Sequence, residues 1–261
     1  MFAPKKELGQ NFLSDPEIAT SMISGLDITA GNDVIEIGPG RGFLTEQLAK
    51  KAVAEEFDFY AVELDKRFYE HLQRTFVDNP NVHIVNANIL DFLPKYTKPE
   101  NKSVKILGSL PYYITSPIVH QIIRMAVSQP DECVLLIQKE VAEKIVAPAP
   151  DSSYMSVFVQ TFFEVTYLFT IPREKFSPVP QVDGGVIKLV KRSELGKEFG
   201  VDLTRDFVTK YEGFLHTAFK NPRKMMNKPF SQEELDRAGI SASLRPQNLN
   251  WKEWLNFYLK F

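Results

Sequence analysis

Short apolar runs alternate with amphipathic segments along the first half of the chain. The apolar runs are rich in β-branched and aromatic residues, which favours strands, and the amphipathic segments carry apolar residues at helical spacing. Asp15 is placed as a helix cap, with Pro16 in the first turn. The runs that predict strands are residues 33–38, 57–65, 82–90, 103–110 and 132–138, and those that predict helices are residues 15–26, 42–52, 66–76 and 117–127. This alternation predicts an α/β fold with a parallel sheet covered by helices on both faces.

A proline-rich segment at residues 171–182 ends this alternation, because proline removes backbone donors and disrupts a regular helix. The following residues, 183–192, are predicted to form an edge strand, and the segments after about Leu195 are shorter and helical. We place a domain boundary near Ser193, in a polar stretch that contains two glycines. The sequence therefore predicts a large domain over residues 1–192, with a basic segment at 1–14, and a small helical domain over residues 193–261.

Composition narrows the class of protein. With 261 residues and 44% hydrophobic content the chain can bury a full core, and its net charge of −2 requires any nucleic-acid surface to be local. The single cysteine, Cys133, lies in an apolar run, which is typical of a core residue in a reducing compartment. The first residues lack the long apolar core of a signal peptide, no run has the length of a membrane span, and the histidines show no metal-binding spacing. We expect a soluble cytoplasmic protein without a metal.

A glycine-rich turn follows the first predicted strand of the sheet. Gly38, Gly40 and Gly42 stand between that strand and a helix, where glycine allows a tight turn and a close approach of a ligand to the backbone. Glu63 ends the next strand, where a carboxylate can accept both hydroxyls of a ribose. NAD and S-adenosylmethionine both bind to this arrangement. Glu36, just before the turn, favours S-adenosylmethionine because a carboxylate would repel a pyrophosphate and suits a cationic group.

A second polar group follows another predicted strand, at residues 109–112 (Ser-Leu-Pro-Tyr). The carboxyl ends of parallel strands meet at one edge of a sheet, so this corner, Asn88 and Glu63 are expected to lie close together. A polar residue, a turn-forming proline and an aromatic residue in this order fit the general pattern of adenine-N6 methyltransferases.

Over nearly its whole length the chain resembles the bacterial small-subunit ribosomal RNA adenine dimethyltransferases, the KsgA/RsmA family. The segments that carry the resemblance are KKELGQNFL, VIEIGPGRGFLT, VELD, LPYYIT, IQKEVAEKIV, FSPVPQVDGGVIKL, AFKNPRK and RPQNLNWKEW. The resemblance implies a Rossmann-like S-adenosylmethionine-dependent methyltransferase domain followed by a small helical domain. It also implies dimethylation of N6 of two neighbouring adenosines near the 3′ end of 16S rRNA in the immature small subunit, with a role in ribosome biogenesis.

The resemblance implies roles for individual residues at the cofactor. Asn11 and Leu13 match residues that close over the cofactor. Gly38 and Gly40 match the loop beside its methionine part, and Glu63 matches the acid that binds its ribose.

Further matches concern the adenines of the cofactor and of the substrate. Asn88 stands where the family usually has an aspartate that contacts the cofactor adenine, and Ser109, which also borders the cofactor, stands where asparagine is usual. Tyr112 and Phe176 match the aromatic residues on the two faces of the target adenine. Both departures keep an oxygen acceptor, so we expect activity to survive them.

The expected chemistry needs positioning more than it needs a general base. The lone pair of the adenine N6 is delocalised into the ring, so acceptors must hold the amine in line with the methyl carbon. The Ser109 side chain and the Leu110 carbonyl are the expected acceptors, and Pro111 fixes the turn. A base that has left its stack also needs an aromatic face, which Tyr112 and Phe176 can provide.

Basic residues cluster locally in spite of the overall charge. One cluster comprises Lys220, Arg223, Lys224 and Lys228, and another comprises Lys5 and Lys6. Such side chains contact phosphates and set register without reading sequence, so we expect both clusters to bind RNA.

Two other functions stay open from the sequence. An Erm-type 23S rRNA adenine dimethyltransferase would share the fold and the chemistry, and a non-catalytic RNA-binding assembly factor would share the fold alone. The segments GPGRG, QKEVAE, VPQVD and AFKNPRK favour the small-subunit family over the first, and the glycine turn with Glu63 argues against the second. We expect a monomer that binds S-adenosylmethionine and small-subunit rRNA and does not bind a membrane.

Overall fold

The structure is a computed structural model, which describes residues 9–97, 99, 102–125 and 130–261. The strands are β1 (Phe12–Leu13), β2 (Asn32–Ile37), β3 (Asp58–Glu63), β4 (Val82–Asn86), β5 (Ser103–Ser109), β6 (Glu132–Gln138), β7 (Phe163–Ile171), β8 (Phe176–Ser177) and β9 (Gly184–Lys191). The helices are α1 (Pro16–Ser24), α2 (Phe43–Glu55), α3 (Lys66–Thr75), α4 (Ile89–Phe92), α5 (Thr115–Arg124), α6 (Lys139–Val146), α7 (Tyr154–Phe162), α8 (Leu195–Phe199), α9 (Arg205–Phe219), α10 (Gln232–Ala238) and α11 (Trp251–Lys260).

Seven of the strands form one sheet, in the order β4-β3-β2-β5-β6-β9-β7. The first five are parallel to their neighbours, and β9 is antiparallel to β6. This confirms the predicted α/β fold with a parallel sheet. The prediction that residues 183–192 form an edge strand is wrong, because β9 lies between β6 and β7. The sequence pattern had not predicted β7, which takes the edge and covers β9.

Burial explains why these residues form strands and helices. Every residue of β2 is buried, as expected for a strand with helices on both faces. Asp15 caps α1 as predicted, because its carboxylate accepts the Glu17 N–H at 3.1 Å. The predicted strand at residues 82–90 is shorter than expected. It ends at Asn86, and Ile89 already lies in α4 because Asn88 caps that helix.

The chain forms two compact units. The first contains the residues up to Ala142 and Thr166–Val190, and the second contains Glu143–Val165 and Lys191–Phe261. The second unit differs from the predicted small domain, 193–261, because it also contains Glu143–Val165 and residues 191–192.

Packing inside the second unit gives the physical reason for this difference. The apolar face of α7 is buried there, and the Thr161 Oγ1 lies 3.0 Å from the hydroxyl of Tyr211 on α9. The Ser152 hydroxyl donates to the carbonyl of Leu249 at 2.9 Å. The pattern of α7 shows that it has an apolar face, and only the tertiary structure shows which core buries it.

The helices in the described parts of the chain are all too short or too polar to cross a membrane.

Candidate functional site

A cavity opens at the carboxyl ends of the parallel strands in the first unit. Ligands of open α/β sheets bind at this edge. The residues that the sequence assigned to cofactor and target base all line it. They are Asn11, Leu13, Gly38, Gly40, Glu63, Asn88, Ser109, Leu110, Pro111, Tyr112 and Phe176. The structure therefore brings these segments together from across the chain, and the role of each residue in binding stays a proposal.

The glycine turn forms one wall of this cavity. Gly38, Gly40 and Gly42 have φ values of +66°, +55° and +87°, a region that disfavours residues with a Cβ atom. Space is also limited at Gly40, where a Cβ atom would lie 3.0 Å from the ring of Phe12. Gly42 caps α2 without a side chain, so the first-turn N–H groups of this helix receive no acceptor from the cap. The N–H groups of Gly38, Gly40 and Gly42 donate to Val62, Glu63 and Pro39, so the turn offers a ligand close approach to the backbone and not free glycine donors.

Glu63 lies at the end of β3 and is held by the backbone on both sides. One carboxylate oxygen accepts the Gly40 N–H at 2.9 Å, and the other accepts the Asp65 N–H at 2.7 Å. The side chain is buried, and this burial raises the pKa of the carboxyl group above its usual value in spite of both hydrogen bonds. Each oxygen keeps a second lone pair, so the oriented carboxylate can still accept two hydroxyls of a ligand.

Glu36 is a second buried carboxyl in the same cavity. It is 1% exposed, and its one hydrogen-bond donor is the Thr45 hydroxyl at 2.8 Å. Burial raises the pKa of this carboxyl to about 8, and the nearby charge of Glu63 adds to the shift. In the described residues, no lysine or arginine forms an ion pair with either glutamate. The two acids favour a ligand that brings its own positive charge.

Asn88 has a second task that the sequence did not indicate. Its side-chain oxygen accepts the Leu90 N–H at 2.9 Å and so caps α4. The expectation that this oxygen serves a cofactor adenine therefore needs its second lone pair, because the first is already used by the cap.

The corner at residues 109–112 is fixed by its surroundings. Ser109 ends β5, and the Leu110 N–H donates to the Leu136 carbonyl at 2.9 Å. The Pro111 carbonyl accepts the Ile114 N–H at 3.1 Å, which closes a single 3-10 turn before α5 begins. The chain at this corner has little freedom, so groups attached to it keep their positions.

Two aromatic side chains face this part of the cavity. Phe176 is 4% exposed and lies on β8, where it is in register with Leu13 of β1. The Tyr112 hydroxyl is buried and has no hydrogen-bond partner in the described part of the chain. Burial raises the pKa of Tyr112, and the nearby negative charge of Asp183 raises it further. No hydrogen bond of the Tyr112 hydroxyl to the described residues therefore fixes this side chain.

Sequence reasoning missed a contact that closes the cavity over the glycine turn. The ring of Phe12 packs edge-on against Phe68, with 5.4 Å between the centroids, and the Arg41 guanidinium lies 4.3 Å from the Phe12 centroid. Gln10 also reaches Asp65, at 3.2 Å. The only sequence signal was that Gln10 and Phe12 stand in the GQNFL segment beside the assigned Asn11 and Leu13.

The predicted basic cluster belongs to the second unit. Its members, Lys220, Arg223, Lys224 and Lys228, are all exposed, and we call them the basic surface. Lys5 and Lys6 lie outside the described residues. The described residues contain no group of histidine, cysteine and acidic side chains that could hold a metal ion.

Comparison with known proteins shows which family the chain belongs to. Residues 1–259 match the family model described as "Ribosomal RNA adenine dimethylase". The chain is 31% identical over 258 residues to the "Ribosomal RNA small subunit methyltransferase A" of Sulfurihydrogenibium sp. (strain YO3AOP1). The alignment covers 98% of this chain and 95% of that protein. It is 35% identical to the protein of the same name from Listeria innocua serovar 6a, over 97% of this chain and 89% of that protein.

Solved structures agree on the fold. The crystal structure of the 23S rRNA methyltransferase ErmE superposes with a TM-score of 0.71 at 23% identity, over 96% of this chain and 99% of that one. The crystal structure of a dimethyladenosine transferase from Plasmodium falciparum gives a TM-score of 0.79 at 21% identity, over 96% and 97%. At these identities the two similarities show a shared methyltransferase fold and nothing finer.

Proposed function

Because this chain belongs to the ribosomal RNA adenine dimethylase family, we propose that it uses S-adenosylmethionine to dimethylate N6 of two adjacent adenosines near the 3′ end of 16S rRNA. One observation carries the proposal. The buried acids Glu36 and Glu63 and the Ser-Leu-Pro-Tyr corner, which are far apart in sequence, line the same cavity. A donor site and an acceptor-base site in one cavity are what a direct methyl transfer requires.

The residues present fit S-adenosylmethionine better than a dinucleotide. Two buried carboxyls without a basic partner would repel a pyrophosphate, and they suit a cationic ligand. The carboxylate of Glu63 is held by the Gly40 and Asp65 N–H groups and would accept the hydroxyls of a ribose. S-adenosylmethionine supplies, when bound, a methyl group activated by a positively charged sulfur. Asn11, Leu13, Gly38 and Asn88 would form the remaining walls of its site.

The corner would position the target amine. The Ser109 hydroxyl and the Leu110 carbonyl accept hydrogen bonds from N6, which holds the nitrogen lone pair toward the methyl carbon. Pro111 keeps both acceptors fixed relative to the sheet. No general base is needed at the moment of transfer, since the proton of the alkylated amine can leave to water afterwards. The contribution of these residues is geometry.

The two aromatic rings would hold the base itself. Tyr112 and Phe176 offer apolar faces in the same cavity, and a base stacked on an aromatic side chain gains about 1–3 kcal/mol. A base inside this cavity must have left its helix, so the substrate is an unpaired or flipped adenosine.

The basic surface supplies phosphate contacts that do not depend on base sequence. The helical second unit serves RNA recognition in this proposal, the substrate is the immature small subunit, and the protein acts as a monomer in the cytoplasm.

The test is methylation with labelled S-adenosylmethionine of immature small subunits and, in parallel, of large-subunit rRNA, followed by mapping of the modified base. We expect label on N6 of two adjacent adenosines of 16S rRNA. Label confined to 23S rRNA would replace the substrate with that of an Erm-type enzyme. Tight RNA binding without cofactor binding or methylation would show a non-catalytic assembly factor.

A further inference from the structure

Tyr113 is an exposed aromatic residue at the rim of the cavity. The residue is 56% exposed, although the hydroxyl of the neighbouring Tyr112 is buried. Among the aromatic residues that the structure describes, only Tyr113 and the C-terminal Phe261 are exposed. A single exposed apolar side chain needs no explanation by itself. Tyr113 differs because it also forms part of the cavity lining.

The ring of Tyr113 is held in place before any substrate binds. It belongs to the 3-10 turn Tyr112–Ile114, between the fixed corner and the start of α5. Its edge packs on Gly9, where an added Cβ atom would lie 3.1 Å from the Cδ1 atom of Tyr113. A ring that is anchored along one edge and exposed over much of its surface is preorganised for a contact from outside.

The substrate of the proposed function supplies a partner for this ring. Once a target adenosine has entered the cavity, the nucleotides on either side of it lose one of their stacking neighbours. When two adjacent adenosines are modified, one of these neighbours is always a purine. Base–aromatic stacking is the ordinary way in which proteins hold such unpaired bases.

We propose that Tyr113 is a stacking platform for the unpaired base next to the target adenosine, so that Tyr112 and Tyr113 hold two successive bases. This inference rests on the proposed function and adds a binding residue for the neighbouring nucleotide.

The experiment combines a protein change with a matching RNA change. Small subunits are reconstituted with 16S rRNA that carries a stable abasic residue immediately 5′ or immediately 3′ of one target adenosine. Single-turnover methylation of that adenosine is measured under subsaturating enzyme, for the wild type and for Tyr113→Ala. The affinity for S-adenosylmethionine is measured by calorimetry for both proteins.

The wild type should lose activity on one of the two abasic substrates by about 5-fold to 150-fold, which is the range for a lost stacked base. Tyr113→Ala should show the same loss on the unmodified substrate and no further loss on that abasic substrate. Tyr113→Phe should stay close to the wild type on all substrates. Val77→Ala, a change at a side chain that is 73% exposed on the first unit and does not line the cavity, is the matched control and should change nothing.

Three results would overturn the inference. If Tyr113→Ala slows methylation of the abasic substrate by the same factor as it slows methylation of the unmodified substrate, Tyr113 and the neighbouring base act separately. Wild-type rates for Tyr113→Ala on every substrate would mean that the ring makes no contact with RNA. A fall in cofactor affinity as large as the fall in rate would mean that Tyr113 only anchors Gly9 at the cofactor. If the wild type fails to methylate the unmodified subunits, the proposed function itself is wrong, which is a separate outcome.

Discussion

Acids lie at both ends of the parallel sheet, and among the described residues only the acids at one end form an ion pair with a cation. At the amino end, Asp33 of β2 and Asp58 of β3 share Lys102, whose ammonium group lies 2.7 Å from Asp33 and also bonds to Asp58. These bonds hold the pKa of Asp58 below its usual value. At the carboxyl end of the same two strands, Glu36 and Glu63 have raised pKa values and no ion-pair partner in the described residues.

The presence or absence of a pairing cation distinguishes the acids that stabilise the fold from the acids that are available to bind a ligand. A buried charge is costly unless it is paired, and without a cation the two carboxyls of the carboxyl end are shifted toward their neutral, protonated form. At the amino end, the ammonium group of Lys102 balances the acidic charge within the protein. At the carboxyl end no cation in the described residues pairs with Glu36 or Glu63, so a cationic ligand could do so. This is the end where the cavity lies.

Removal of Glu63 should give the largest effect, at the carboxyl end. Glu63→Ala should weaken S-adenosylmethionine binding by about 1.5–3 kcal/mol for each charge-assisted hydrogen bond lost, and RNA binding should barely change. Calorimetry measures the affinity. The change also leaves the Gly40 and Asp65 N–H groups without an acceptor, so thermal melts and the milder Glu63→Gln serve as folding controls. Unaltered cofactor affinity would remove Glu63 from the site.

The raised pKa of Glu36 should make the stability of the protein depend on pH. Its pKa of about 8 in the folded protein lies above the ordinary value of 4.5, so the native state keeps a proton that the unfolded chain has released between these pH values. Stability should therefore fall as pH rises through this window, by at most about 1.4 kcal/mol per pH unit from this group.

Glu36→Gln should flatten this dependence in urea unfolding measured from pH 5 to pH 8. Some slope should remain, because the pKa of Glu63 is also raised. Glu46→Gln, at an exposed position of α2, is the control and should leave the slope unchanged. An identical slope for Glu36→Gln and the wild type would mean that Glu36 is ionised in the native protein.

Lys102→Met tests the amino end. It leaves Asp33 buried without its cation and should destabilise the protein by roughly 3 kcal/mol, near the lower end for a broken buried pair because Lys102 is partly exposed. Cofactor affinity should not change. The matched control is Lys210→Met, which breaks the exposed Lys210–Asp206 pair on α9 and should have an effect below about 0.5 kcal/mol. Equal urea midpoints for the two variants would contradict the distinction between the two ends of the sheet.

Variants of Tyr112 test the aromatic part of the cavity, where the target base is proposed to stack. Tyr112→Ala should slow single-turnover methylation of immature small subunits by about 5-fold to 150-fold through the loss of stacking, with near-normal cofactor binding. Tyr112→Phe should be mild in activity, because the buried hydroxyl has no partner in the described residues to lose. The proposed role fails if the alanine variant is folded and as fast as the wild type, or if phenylalanine is as damaging as alanine.

The basic surface should give the smallest effect, because its charges are exposed and solvated. Arg223→Ala with Lys224→Ala should weaken RNA binding and reduce the slope of log affinity against log salt by about one for each lost phosphate contact. Filter binding at several salt concentrations measures the slope. Lys252→Ala, at an exposed lysine that is paired with Glu198 in the same unit, is the control. If the double variant keeps the wild-type slope, the basic surface is only solvated.

Local sequence patterns predicted the parts of the fold that local physics decides. The strands β2 and β6 and the capped helix α1 follow from apolar runs and from Asp15 beside Pro16. The place of β9 in the sheet could not be predicted in the same way. Whether a strand lies inside a sheet or at its edge depends on a hydrogen-bonded neighbour elsewhere in the chain, and β7 was not recognised.

The sequence by itself determined which residue types stand at the carboxyl ends of the strands, and hence that a glycine turn, an acid and a polar–aromatic corner would share one edge of the sheet. Only the tertiary structure decided their state. It left Glu36 buried beside a single hydroxyl donor, engaged the Asn88 oxygen as a helix cap and left Tyr113 exposed beside Tyr112. Charge state, hydrogen-bond capacity and exposure depend on contacts between segments that are distant in the chain, and no pattern of neighbouring residues encodes those contacts.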